Sequence, residues 1–285
     1  MKVIWGFINH VAVYFVDLLN PALFRIRLVG GVSSSKEQVL RLIDYLKPVQ
    51  ISKPLERFGP RGDGGYLVPN DFDGVTACFS PGVSDVAGFE LDLANKGIPC
   101  FLIDASVNCA PVQHEKIFFE PLFLGPKSDG FKFVSLEDWV NEKAPGTSDL
   151  VLQIDIEGAE YEALLATPEP LLKRFRLIVM ELHDLDFLMT DRYSAIGFEI
   201  FLKHIRTVFD VIHIHPNNNR RVIKHRGIQI PPVIEITLLR KDRVIEIGSD
   251  GKSSLPNKLD EDNSPRRKAI TFSRDWTNPV HNLNV

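Results

Sequence analysis

Residues 149–165 read DLVLQIDIEGAEYEALL, and they give the clearest indication of the fold. Its first half, Asp149–Ile156, is a run of mainly apolar residues without regular polar alternation. Such a strand is buried on both faces, which is typical of a parallel sheet covered by helices. Gly158 permits a turn, and Glu160–Leu165 then follows a helical pattern. The stretch therefore predicts a strand, a turn and a helix of an α/β protein.

Six further apolar runs have the same character. They are Val75–Phe79, Pro99–Ile103, Lys116–Leu124 (broken by Pro121), Arg176–Leu182, Phe209–His215 and Val233–Arg240. Further helical patterns occupy Ser33–Lys47, Ala87–Lys96, Leu136–Lys143 and Ala195–Val208. The last two strands lie close together in sequence, which favours an antiparallel pair. We predict a seven-stranded, mostly parallel sheet with an antiparallel edge strand and helices on both faces.

The composition excludes several classes of protein. The chain has 285 residues and 32.2 kDa, with 44% hydrophobic residues, which is typical of globular proteins. Its net charge of −4 lacks the basic excess of a general nucleic-acid binder, so we expect no nucleic-acid partner. The three cysteines contain no C-x-x-C pair, which favours a reducing compartment and a cytoplasmic location. We predict one central domain over residues 33–242 and a polar C-terminal extension over 243–285.

The first 32 residues contain a strongly apolar segment. Residues 3–19 read VIWGFINHVAVYFVDLL, which reaches the lower limit of a membrane-spanning length. Asn9, His10 and Asp17 would be costly in hydrocarbon. We expect a helix packed on the domain; the alternatives are a peripheral or short membrane anchor and a signal peptide.

A glycine turn and an acid indicate a nucleoside site. In an open α/β sheet, ligands bind beyond the carboxyl ends of the strands. Gly82 and Ser84 follow the first predicted sheet strand, although Ser84 stands where a G-x-G-x-x-G fingerprint would have glycine. Asp104 follows the second strand, 22 positions after Gly82, where a carboxylate can accept hydrogen bonds from a ribose.

Acids and histidines follow the later strands. Asp155 ends an apolar run, so its carboxylate needs a cationic, metal or hydroxyl partner. Period-two alternation places Glu181 and His183 on one face, and His213 and His215 on another. We favour general base catalysis without a metal. A divalent ion near Asp155, Glu181 and His183 is the less favoured alternative, and purely structural roles are the third.

Several segments together resemble the FkbM-type methyltransferases, which depend on S-adenosylmethionine and have a Rossmann-like sheet. They are RGDGGYLVP (61–69), SPGVSDVAGFELDLA (80–94), IDIEGAEYEAL (154–164), MELH (180–183), HIHPNNN (213–219) and PPVIEITLLRKD (231–242). The resemblance covers about residues 57–242. This chain departs from the family pattern at Ser84, which replaces a glycine, and at Asp104, where Glu is commoner.

The resemblance implies methyl transfer to an oxygen, often a sugar or glycan hydroxyl. It implies that Gly82, Ser84 and Asp104 bind the cofactor, under a lid loop formed by Asp63, Gly64, Gly65 and Tyr66. His183 would be the base, steered by Glu181. Asp155 would face the sulfonium or the acceptor. His215 and Asn217 would contact the acceptor, a small molecule or glycan.

Two other functions fit part of the sequence. An NAD(P)-type Rossmann oxidoreductase would also use a glycine turn and a following acid, but it predicts a fuller glycine fingerprint. A non-catalytic, membrane-associated binding protein would use residues 3–19 as its membrane contact.

Overall fold

The computed structural model describes residues 32–245 and 255–278. The predictions for residues 3–19 therefore lie outside the described residues. So do residues 246–254 and 279–285 of the C-terminal extension. Among the described helices, none combines the length and the apolar character needed to cross a membrane.

The described elements follow one another in chain order. They are α1 (Lys36–Leu46), β1 (Leu55–Phe58), β2 (Tyr66–Pro69), β3 (Val75–Pro81), α2 (Gly88–Asn95), β4 (Cys100–Ile103), β5 (Ile117–Glu120), β6 (Phe123–Gly125), β7 (Phe133–Ser135), α3 (Leu136–Lys143), β8 (Asp149–Ile154), α4 (Glu160–Ala166), α5 (Glu169–Leu172), β9 (Phe175–Leu182), α6 (Leu185–Thr190), α7 (Arg192–Val208), β10 (Phe209–Pro216), β11 (Ile223–His225), β12 (Ile228–Ile230), β13 (Ile234–Arg240) and α8 (Arg274–Thr277).

The main sheet has seven strands in the order β10-β13-β9-β8-β3-β4-β5. β13 runs antiparallel to both of its neighbours, whereas β9, β8, β3, β4 and β5 pair in parallel. This confirms the predicted seven-stranded, mostly parallel sheet. The antiparallel strand β13 is the second strand from one edge of the sheet, and it lies between β9 and the outermost strand β10.

Both faces of the sheet are covered. One face packs against α1, α3, α4, α6 and α7, through side chains such as Leu42, Trp139 and Phe198. On the other face, Phe89 of α2 packs together with Phe58 and Tyr66 of the β1–β2 hairpin. Successive sheet residues alternate between these two cores, as expected for a strand buried on both sides.

Several short elements were not predicted. The antiparallel pairs β1–β2 and β11–β12 and the parallel pair β6–β7 lie outside the main sheet. Each of their strands has only three or four residues, which is too short for a recognisable period. The break at Pro121 is confirmed, because β5 ends at Glu120 and β6 begins at Phe123.

The described part of the C-terminal extension packs on the domain. Trp276 is only 1% exposed, stacks on Phe272 with ring centroids 4.9 Å apart, and donates its indole N–H to the Gln229 carbonyl. Asn218 joins the same segment to the end of β10, because its side chain accepts from the Ser264 N–H and donates to the Ser264 carbonyl. Residues 255–278 are therefore part of the folded body.

Candidate active site

The strand order places a crevice at the carboxyl ends of β3 and β8. From β3 the chain proceeds to β4 and β5 on one side, and later to β8 and β9 on the other. A reversal of this kind leaves room for a ligand at the strand ends. Gly82 and Ser84 follow β3, Asp104 follows β4, and Asp155 follows β8. Glu181 and His183 lie at the end of β9, so this edge gathers the predicted residues of both groups.

Backbone strain is concentrated at this edge. Ser84, Glu157 and Asp184 are non-glycine residues with left-handed φ angles of 43°, 55° and 55°. Each follows one of the strands β3, β8 and β9. Such conformations are costly for residues other than glycine and recur at functional sites. The three turns therefore make these strand ends a candidate functional site.

Gly82 holds the first turn close to β8. Its φ is +85°, and a Cβ at this position would lie 1.7 Å from the Asp155 carbonyl oxygen. The Ser84 N–H donates to Asp104 Oδ2 at 2.8 Å, and Ser106 donates to Asp104 Oδ1 through its N–H and its hydroxyl. Asp104 thus organises the turn between β3 and α2. Its predicted ribose contact would be an additional role.

His183 is oriented by Glu160. Its Nδ1 lies 2.9 Å from Glu160 Oε1, and Glu160 is fully buried. An ionised carboxylate can only accept a hydrogen bond, so Nδ1 carries the proton. In the neutral ring, Nε2 then points its lone pair towards the crevice. The sequence predicts Glu181 as the residue that steers His183, but Glu160 is the residue that contacts Nδ1.

Three more carboxylates surround Nε2 of His183. Glu181 Oε2 lies 3.4 Å away, and Asp155 Oδ1 and Glu157 Oε2 each lie 3.6 Å away. In the described part of the chain, no Lys or Arg lies within ion-pair distance of these carboxylates or of Glu160. Oδ1 of Asp155 is also buried without a hydrogen bond from any described residue. Among the described residues, His183 is therefore the one cationic side chain within ion-pair distance of this cluster.

The pKa values reflect this excess of negative charge. Burial and the nearby Glu181 raise the pKa of Asp155 to about 8. Burial and Glu235 raise the pKa of Glu181 to about 8 as well. Burial works to lower the pKa of His183, but the hydrogen bond and charge of Glu160, with the other carboxylates, raise it to about 9. A free imidazole with this pKa is protonated at neutral pH, so it is a poor base unless a cation offsets the carboxylates.

A polar wall lies beside this cluster. Asn217 donates its amide to Glu181 Oε1 at 3.0 Å. Glu235 of β13 pairs in register with Glu181 and accepts from the Asn263 amide at 2.6 Å. That amide also donates to Asp63 Oδ1 at 3.0 Å. The C-terminal segment therefore joins the loop between β1 and β2 to the sheet at the site.

His215 belongs to a second group at this wall. Asp260 lies 2.8 Å from Nε2 of His213 and 3.6 Å from Nδ1 of His215. Both ring nitrogens of His215 are buried without a hydrogen bond among the described residues. Sequence analysis missed Asp260, Asn263 and Glu235. Asp260 and Asn263 lie in a polar run whose composition is typical of a solvated loop, and nothing in its pattern indicates burial.

The predicted lid residues occupy two elements. Asp63, Gly64 and Gly65 lie in the β1–β2 loop, where Asp63 accepts from Asn263. Tyr66 is the first residue of β2 and is buried. Its hydroxyl accepts from the Gln153 amide at 3.2 Å, and burial together with Asp155 raises its pKa well above the usual value. Tyr66 therefore lies in the floor of the site.

Comparisons with known proteins give distant likenesses. No family model matches the chain, and no curated protein matches it. Among solved structures, the chain is similar to one in the fibrillarin/Nop5p complex, with 14% identity, TM-score 0.35 and coverage of 59% of this chain and 73% of that one. It is similar to a mutant 16S rRNA (adenine(1408)-N(1))-methyltransferase from Catenulisporales acidiphilia, with 7% identity, TM-score 0.31 and coverage of 68% and 100%.

A third similar structure is EvdMO1, with 15% identity, TM-score 0.26 and coverage of 72% of this chain and 47% of that one. The chain thus spans about half the length of EvdMO1. Likenesses this distant transfer no function. Membership of the FkbM-type family stays a prediction from the sequence motifs.

Proposed function

We propose that this chain is an S-adenosylmethionine-dependent methyltransferase that methylates a hydroxyl of a sugar or glycan. The observation that carries the proposal is the acidic crevice at the point where the strand order reverses. Asp155, Glu157, Glu160 and Glu181 gather there around one imidazole, without a Lys or Arg counterion among the described residues. A sulfonium cofactor is a cation and fits this charge, whereas a pyrophosphate-bearing cofactor is repelled by it.

The sheet also disfavours the oxidoreductase alternative. Dinucleotide-binding sheets have the strand order 3-2-1-4-5-6 and place the pyrophosphate on a glycine-rich turn. Here β13 is inserted antiparallel between β9 and β10, and Ser84 interrupts the glycine pattern. Both features support a cofactor other than a nicotinamide dinucleotide.

Gly82, Ser84 and Asp104 would hold the nucleoside and methionine parts of the cofactor, with Asp63, Gly64 and Gly65 above and Tyr66 below. When bound, the cofactor supplies a methyl group on a sulfonium; the C–S bond breaks as the C–O bond forms, and its electron pair stays on sulfur. The chain has to align the acceptor oxygen with this methyl group. The hydroxyl proton passes to a group of the Asp155, Glu181 and His183 cluster.

The wall beside the cluster supports a hydroxyl-rich acceptor. Asn217, Glu235 and Asn263 present amide donors and carboxylate acceptors, and His215 has two ring nitrogens without hydrogen bonds among the described residues. A sugar can satisfy such groups, since each hydroxyl both donates and accepts. An apolar acceptor would leave the two ring nitrogens of His215 without hydrogen bonds, which is costly.

Two measurements test the proposal. Calorimetry should detect binding of S-adenosylmethionine and none of NAD(H) or NADP(H). With labelled cofactor, the protein should transfer methyl groups into a glycan-containing extract, and the labelled product should be an O-methyl sugar. The His183→Ala variant should still bind the cofactor and lose transfer at least about 100-fold. Tight binding of a nicotinamide cofactor without binding of S-adenosylmethionine would overturn the proposal.

A further inference from the structure

We propose that Asp155, Glu181 and His183 bind a divalent metal ion through Oδ1, Oε2 and Nε2. The role of this ion in methyl transfer rests on the proposed function, whereas its binding does not. These three ligand atoms all lie within 4.8 Å of one another.

The spacing of these atoms suits a shared ion better than direct contact. Nε2 lies 3.6 Å from Asp155 Oδ1 and 3.4 Å from Glu181 Oε2, and both distances are long for a hydrogen bond. Ligands about 2.1 Å from one ion are about 3.0 Å apart at a right angle and about 3.4 Å apart at a tetrahedral angle. The two distances from Nε2 are therefore close to those between ligands of one ion.

The supporting hydrogen bonds already orient the ligand atoms. Glu160 accepts a hydrogen bond from Nδ1 of His183 at 2.9 Å, so that Nε2 of the neutral ring has a lone pair for the ion. Asn217 donates to Oε1 of Glu181 at 3.0 Å and leaves Oε2 free. Carboxylate–histidine pairs of this kind hold the ring of metal-binding histidines in proteins.

An unpartnered polar atom points to a ligand. Oδ1 of Asp155 is buried and has no hydrogen bond from any described residue. Buried polar atoms without partners are rare in folded proteins, because each has lost its hydrogen bonds to water. The His183 side chain beside it is only 5% exposed, and the carboxylate oxygens around its Nε2 lie 3.4–3.6 Å away. An ion between these side chains would give Oδ1 a partner.

The charge count also favours a dication. A sulfonium and an imidazolium supply two positive charges, but four carboxylates surround the ring. With all four carboxylates ionised, a divalent ion on neutral His183 leaves two negative charges uncompensated, and a sulfonium reduces them to one. Two carboxylate oxygens and one imidazole suit Mn²⁺ or Mg²⁺, with open positions for the acceptor hydroxyl.

Ion binding would change the role of His183 in the reaction. As a ligand through Nε2, the ring is no longer free to accept a proton. The ion would instead lower the pKa of the acceptor hydroxyl. Glu157, whose side chain is 80% exposed and lies 3.6 Å from Nε2, is then the available proton acceptor.

The test is direct titration of the metal-stripped full chain with Mn²⁺, followed by electron paramagnetic resonance without cofactor or acceptor. We expect one site per chain. Asp155→Asn and His183→Asn should abolish binding, and Glu160→Gln should weaken it about 10- to 100-fold. Glu162→Gln is the matched control, because Glu162 is exposed on the same helix, α4, and should leave binding unchanged. Thermal unfolding of each variant identifies any loss of fold.

The possible outcomes separate this inference from the proposed function. No Mn²⁺ binding by the wild type, or equal binding by wild type, Asp155→Asn and Glu160→Gln, would overturn the metal site. Methyl transfer that resists chelators would overturn the role of the ion in the reaction, while leaving the proposed function intact. Mn²⁺ binding that follows the predicted order of variants supports the site even if S-adenosylmethionine does not bind.

Discussion

The buried carboxyl group of Glu90 makes the stability of the fold depend on pH. Its side chain is buried on α2, and Ser80 Oγ lies 2.5 Å from Glu90 Oε1 and 2.6 Å from Gln153 Oε1. Burial raises the pKa of Glu90 from 4.5 to about 7. Because the folded pKa lies above the unfolded one, its stabilising effect is complete below pH 4.5 and is lost as the pH rises through 7.

We expect Glu90→Gln to be less sensitive to pH than the wild type. Between pH 5 and pH 8, the wild type should lose up to about 3 kcal/mol more of its free energy of unfolding than the variant. Urea unfolding of both proteins at several pH values measures this difference. Asp155 and Glu181 titrate in the same pH range, but they do so in both proteins. Their effect on the free energy of unfolding therefore cancels in the comparison. Parallel pH curves would contradict the assignment.

For single residues, the sequence predicts which side chains share a face of a strand, but it does not predict which residues they contact. Alternation along β9 predicts that Glu181 and His183 share a face, and Glu181 Oε2 does lie 3.4 Å from His183 Nε2. The role of Glu160 could not be predicted in this way. An acid in the first turn of a helix is explained by the helix dipole alone. Only the packing of α4 against the end of β9 brings its carboxylate to Nδ1.

At the scale of elements, Gly82 sets the distance between the β3 turn and β8. In Gly82→Ala, the new Cβ would lie 1.7 Å from the Asp155 carbonyl oxygen, so the turn has to move away from β8. Gly97→Ala is the matched control. It has a similar φ of +90°, but its Cβ would meet nothing within 4 Å. Gly97→Ala therefore carries the cost of a left-handed φ angle but lacks the clash expected in Gly82→Ala.

We expect Gly97→Ala to cost about 1–2 kcal/mol of unfolding free energy and Gly82→Ala at least about 2 kcal/mol more. Gly82→Ala should also weaken cofactor binding, because it displaces the turn that carries Ser84. Thermal unfolding and calorimetry measure the two effects. Equal destabilisation by both substitutions would show that the turn does not need its close approach to Asp155.

Long buried elements are predictable from sequence, and short ones are not. All seven strands of the sheet coincide with apolar runs, because burial on both faces leaves few polar positions in them. The β1–β2 hairpin lies in a segment rich in Gly, Pro and Asp, which also describes an irregular loop. Its strands exist because Phe58 and Tyr66 pack on Phe89, a contact between distant parts of the chain.

At the scale of the whole molecule, the C-terminal segment completes the wall of the site. Asn263 joins Asp63 to Glu235, and Asp260 lies against His213 and His215. Its composition predicts a solvated extension, since Asp, Glu, Asn, Lys and Arg dominate it. Burial of these polar residues depends on partners from β10 and β13. The acceptor wall therefore could not be read from any local pattern.

We expect Asp260→Asn to loosen this segment from the sheet. The carboxylate, with a side chain 7% exposed, lies 2.8 Å from His213 Nε2, and its other oxygen accepts from the Asn257 N–H at 2.7 Å. Burial works to raise the pKa of Asp260, but both histidines lower it on balance, so the contact stabilises the fold at neutral pH and weakens in acid. Loss of its charge should cost roughly 1–3 kcal/mol.

Amide hydrogen exchange measures this loosening. Residues 255–278 of Asp260→Asn should exchange faster than in the wild type, while the strands β3, β8 and β9 keep their protection. Glu261→Gln is the matched control. Among the described residues, the Glu261 carboxylate forms an ion pair with Arg61 alone, whose side chain is 87% exposed, and such surface pairs contribute little. If exchange in 255–278 is the same in both variants, the segment is held by Trp276 and Asn218, and Asp260 does not anchor it.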